Sequence, residues 1–151
     1  MKKKSVMNIL YTQLDFFIIR KLKIYSLIFL QYSLALIFIW FGTLKIIGFS
    51  PATELVTNTV YWFSPTWFIP FLGIWEIAIG ICLLWKPLQR IGLFLMAVQM
   101  AGTFLPLILL PQIVYVQGNL FYLTMEGQYI IKNIILISAA MVIGSHVKDR
   151  S

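Results

Sequence analysis

Residues Trp67–Trp85, WFIPFLGIWEIAIGICLLW, decide the architecture. The stretch is apolar from end to end except at Glu76. At a rise of about 1.5 Å per residue, it reaches the roughly 30 Å thickness of a bilayer core. Three further runs match it: about Ser26 to Ile47 (SLIFLQYSLALIFIWFGTLKII), about Ile91 to Leu110 (IGLFLMAVQMAGTFLPLILL) and about Gln128 to Ser145 (QYIIKNIILISAAMVIGS). Membrane β-strands would show short alternating segments of roughly ten residues, and no such alternation occurs. The sequence therefore predicts an all-α integral membrane protein, a four-transmembrane-helix bundle forming a single membrane domain over residues 1–151.

Composition agrees. The chain has 151 residues, 60% of them hydrophobic and 11% charged, with a mean hydropathy of +0.89. Soluble domains are roughly 45–50% apolar and about 25% charged. So apolar a chain is not a disordered one. Cys82, the single cysteine, has no partner for an internal disulfide. The net charge of +7 does not point to nucleic acid, because the basic residues flank the apolar runs.

Those flanks predict an orientation. The amino-terminal tail, the 86–90 loop and the carboxyl tail hold ten of the twelve basic residues, whereas the loops at about 48–66 and 111–127 hold only Glu54 and Glu126. Cytoplasmic loops are enriched in Lys and Arg, so both termini are expected in the cytoplasm. Residues 1–24 form a basic segment in which Val6, Ile9, Leu10, Leu14 and Phe17 share one helical face. Arg20, Lys21 and Lys23 interrupt any signal-peptide core, and no cleavage site follows. A short amphipathic helix on the cytoplasmic leaflet and a partly ordered tail both fit this segment. In the first outer loop, Ser50 as N-cap and Pro51 at the first helical position predict a short interfacial helix. Its apolar stripe is Ala52, Leu55, Val56, Val60 and Phe63, and Pro65 and Pro70 are expected to punctuate its end. That helix reads either as interfacial packing or as a lid. Pro106 and Pro111 predict a kink or an early stop in the third span.

Ionisable residues within spans are costly and usually face the bundle interior. Here they are Lys45, Glu76 and Lys132. Gly73 and Gly80 share the helical face of Glu76 and would admit a neighbouring helix closely. Lys132 is the expected main partner of Glu76, with Lys45 nearer the outer headgroups, where its ammonium could snorkel. Gln99 and Thr103 lie one turn apart on the third span, so every span brings a polar group to one interior site. Trp75, beside Glu76, with Tyr129 and Asn133, would line a pocket there, and a flat ring such as a quinone would suit Trp75. Two readings stay open: a ligand or proton site, and a buried ion pair that fixes helix register alone. No catalytic residue and no metal-ligand set is assigned. Cys82 lacks a CxxC partner, His146 is the lone histidine, and neither a nucleophile–His–acid set nor a phosphate-binding loop is visible.

Several of these residues resemble a known pattern. Gly42 and Lys45 at the end of the first span, Ser64-Pro65 after the loop, Gly73, Glu76 and Gly80 in the second span, and Gly127 and Lys132 in the fourth are similar to the motifs of the YkgB-like (RclC-like) small membrane proteins of the DoxX-like superfamily. Gln128 and Asn133 depart from it, standing where that pattern has Arg and Asp. The resemblance implies a four-helix bundle linked to oxidative or reactive-chlorine stress. The expected role is that of a non-enzymatic or accessory bacterial inner-membrane protein with no cofactor of its own. A quinone-interacting subunit of an oxidoreductase is the alternative, and a small-solute or proton carrier a third. The expected partners are the lipid bilayer and either a redox protein or further copies of the chain.

Overall fold

Leu, Ile, Phe and Met fill the apolar runs, and such side chains in lipid leave the backbone no hydrogen-bonding partner except itself, so the runs fold as helices. The computed structural model describes residues 2–147, with side chains described from Tyr11 onward. Its helices are α1 (Lys2–Ile46), α2 (Thr53–Thr59), α3 (Pro65–Leu84), α4 (Gln89–Thr103), α5 (Pro106–Leu109), α6 (Pro111–Val114), α7 (Met125–Ile131) and α8 (Asn133–Ser145). Four stretches are long and apolar enough to cross a membrane: Tyr11–Ile46, Pro65–Leu84, Lys86–Leu109 and Met125–Ser145. Among the described residues, β pairing is confined to one antiparallel bridge, Tyr115 with Leu123, within the 111–127 loop.

Neighbouring helices close a ring in which α1 packs on α3 and α8, and α4 also packs on α3 and α8. The ring's core joins Leu34, Ala35 and Phe38 of α1 to Ile79 and Leu83 of α3, Met96 and Met100 of α4, and Ala139 and Ile143 of α8. The α1–α3 crossing is the tightest. A Cβ on Gly42 would stand 2.5 Å from the Gly73 carbonyl oxygen, and one on Gly73 would stand 2.6 Å from that of Gly42. Gly80 repeats the device against Ala35 two turns on.

The turn after α3 solves a local problem. The Leu83 carbonyl would normally accept from residue 87, but Pro87 has no N–H. Two buried amides serve instead: Gln31 Nε2 donates to it at 2.6 Å and Gln89 Nε2 at 3.4 Å. A carbonyl that Pro87 would leave without its helical donor thus pins α1, α3 and α4 together.

Boundaries differ from the sequence reading in four places. The basic segment and the first span are one unbroken helix, because RKLKIY (20–25) contains no Gly or Pro to interrupt it. Val6, Ile9 and Leu10 lie outside the described side chains, while Leu14 and Phe17 are exposed, as are Phe16 and Ile18. The loop helix α2 starts at Thr53, with Ala52 at its N-cap and no side-chain cap bond from Ser50. Pro65 opens α3, and Pro70 lies inside that helix rather than ending the loop. In the third span the regular helix stops at Thr103, just ahead of Pro106, as the prolines there predict. The fourth begins at Met125, where Thr124 accepts from Gly127 N–H, and it breaks at Lys132 into α7 and α8.

Candidate functional site

The glycine crossing sets the site. Gly42 and Lys45 are one turn apart on α1, as Gly73 and Glu76 are on α3, so backbone contact at the glycines brings the two long side chains together. Lys45 Nζ donates to Glu76 Oε1 at 2.9 Å and to Oε2 at 2.6 Å. Both residues are buried, at 8% and 6% exposure. Gln99 Nε2 of α4 donates to Glu76 Oε1 as a third bond. That bond settles the amide's orientation, because its oxygen would otherwise face the carboxylate; Gln99 Oε1 is left buried and without a partner.

The structure therefore corrects the expected pairing: Lys45, not Lys132, is the partner of Glu76. The reason lies in the ring. α1 and α3 are neighbours in glycine-mediated contact, whereas Lys132 lies between α7 and α8, and α8 packs on α1 and α4 rather than against α3. Lys132 is exposed and, among the described residues, makes no hydrogen bond or ion pair through its side chain. Thr103 is also not part of the cross-helix network, since its hydroxyl donates to the Gln99 carbonyl within its own helix at 2.9 Å.

Above the ion pair the bundle opens into a cavity of about 630 Å³ at the end that carries the long loops. All the residues singled out from sequence stand on its wall: Lys45, Trp75, Glu76, Gln99, Thr103, Tyr129, Lys132 and Asn133. Trp75 is held by its indole N–H, which donates to the Leu95 carbonyl at 3.3 Å. The remaining wall is almost wholly apolar, with Phe41 from α1, Phe71 from α3 and Ile135 from α8. α2 forms part of the wall through Leu55, Val56 and Thr59, and Thr59 is buried with its hydroxyl turned back to the Leu55 carbonyl at 2.6 Å.

Sequence reasoning missed the contributions of Phe41 and Phe71, whereas the break between α4 and α5 is the early stop that Pro106 predicts. In an apolar helix no periodic signal separates a cavity wall from a lipid face. On α2, Leu55 and Val56 were visible in an apolar stripe, while Thr59 was not. Chemically the site is an apolar chamber whose carboxylate is already neutralised, with unpartnered polar side chains facing it from α7 and α8. Among the described residues no three of His, Cys, Asp and Glu come together. Compared with models of protein families, with curated proteins and with solved structures, the chain matches none of them.

Proposed function

We propose that the chain is an inner-membrane protein, with both termini in the cytoplasm, that holds a lipid-soluble molecule with a polar head between its helices. The cavity carries this reading. Its volume of about 630 Å³ falls within the roughly 300–1,000 Å³ of small-molecule sites, and it shares their make-up of apolar walls with a few convergent polar groups. The buried Lys45–Glu76 pair, braced by Gln99, gives the chamber a rigid polar floor, as pre-organised binding requires. The motif resemblance supports an accessory role in redox stress, with the protein serving a redox partner rather than catalysing alone.

A quinone is the second reading. It is favoured by the aromatic wall of Phe71, Trp75 and Tyr129, in which Trp75 is fixed by its bond to Leu95. Mass spectrometry of lipid-soluble molecules released from protein purified in mild detergent tests both readings. One ligand per chain, lost when Val56→Trp fills the chamber, is the expected result. Equal recovery from wild type and the filled variant would sink the cavity reading. A ligand other than a quinone would sink the second reading alone.

A further inference from the structure

We infer that the ligand's head is an oxyanion, carboxylate or phosphodiester, bound by Tyr129, Lys132 and Asn133; this rests on the reading of the cavity as a ligand site and names the ligand's chemistry. The three residues follow the i, i+3, i+4 spacing of one helix face across the α7–α8 turn, and all three line the cavity. Each carries a hydrogen-bond donor: a phenol, an ammonium and an amide. None of the three side chains has a hydrogen-bond or salt-bridge partner among the described residues. Their polar atoms are also absent from the sealed, unsatisfied groups of the interior, which are Thr53 Oγ1 and Gln99 Oε1. A donor face that is unpartnered and still reachable is open to an incoming ligand.

Charge fixes the sign of that ligand. The cavity holds two lysines and one glutamate, and Lys45 is fully engaged with both oxygens of Glu76. One positive charge, on Lys132, is left over beside an apolar wall. That ammonium is exposed and unpaired among the described residues, and an anion that accepts its hydrogen bonds forms a charge-assisted pair with it. A single negative charge balances the site. The apolar walls require that the charge be carried on a hydrocarbon chain. Two sources fit this chemistry: a free long-chain carboxylate and the phosphodiester of an anionic lipid.

Native mass spectrometry of the full chain in a neutral detergent, titrated with oleate, oleyl alcohol, phosphatidylglycerol and phosphatidylcholine, tests the inference. Oleate is expected to bind at least about tenfold more tightly than oleyl alcohol, its neutral counterpart. Lys132→Met is expected to abolish that preference while retaining oleyl alcohol, and Lys132→Arg to preserve it. Preference for phosphatidylglycerol over phosphatidylcholine with the same Lys132 dependence supports the oxyanion head and assigns it to a bilayer lipid. Equal binding of oleate and oleyl alcohol by the wild type would overturn the inference and leave the cavity reading standing. So would a preference that survives Lys132→Met. Should that variant not fold, the wild-type contrast decides alone. If none of the four probes nor decylubiquinone binds, the cavity reading itself falls.

Discussion

Removing the Lys45–Glu76 pair one partner at a time should show how the bundle handles charge. Lys45→Met leaves a carboxylate, 6% exposed, with the Gln99 amide as its one remaining donor. Glu76→Met strands an ammonium beside the glycine crossing. Breaking a buried pair costs about 3–5 kcal/mol. Lys45 stands in the last turn of α1 and can turn toward the headgroups, so Glu76→Met belongs at the lower end of that range. The double variant leaves no unpaired charge. What remains is the Gln99 amide without its acceptor, a loss of about 1–3 kcal/mol. Additive singles would total at least about 6 kcal/mol, so the double should fall short of that sum by on the order of 3 kcal/mol, the signature of direct contact. The measurement is equilibrium unfolding by SDS titration in mixed micelles, followed by tryptophan fluorescence. Lys132→Met is the control. Its side chain is exposed and unpaired, so it should change stability little and show no coupling to Glu76→Met. Additive losses from Lys45 and Glu76, or stronger coupling through Lys132, would refute the geometry.

Three other outcomes are expected. Gly73→Ala should destabilise the bundle by about 1–3 kcal/mol, because its Cβ meets the Gly42 carbonyl at 2.6 Å, while Gly102→Ala, with nothing within 4 Å, should be near neutral; equal effects in the same unfolding assay would dismiss the close crossing. Gln31→Leu removes the 2.6 Å bond to the Leu83 carbonyl, which Pro87 cannot replace, and should cost about 1–3 kcal/mol by the same measurement; no loss would show that Gln89 alone is sufficient. In a Cys82→Ser background, Asn58→Cys and Leu120→Cys should react with an impermeant thiol reagent added outside intact cells and Leu88→Cys should not; labelling at 88 from outside would reverse the proposed orientation.

The four apolar runs and the inward direction of the Glu76 face were legible in the sequence. Hydropathy, glycine spacing and ionisable residues within spans are properties of single segments. They add along the chain, and lipid leaves the backbone no alternative to the helix. Gly73 beside Glu76 and Gly42 beside Lys45 even marked the two faces that meet. Tertiary structure decided which charges pair. Both Lys45 and Lys132 had the depth and reach to meet Glu76, and the choice turned on which helices are neighbours in the ring. Helix order and rotation about each axis come from packing between distant residues, and a shift of a few ångströms exchanges one salt bridge for another. The same holds for the Leu83 carbonyl, whose partners Gln31 and Gln89 lie on other helices. It holds equally for the cavity, since a void belongs to no residue and exists only where four helices fail to fill the space between them.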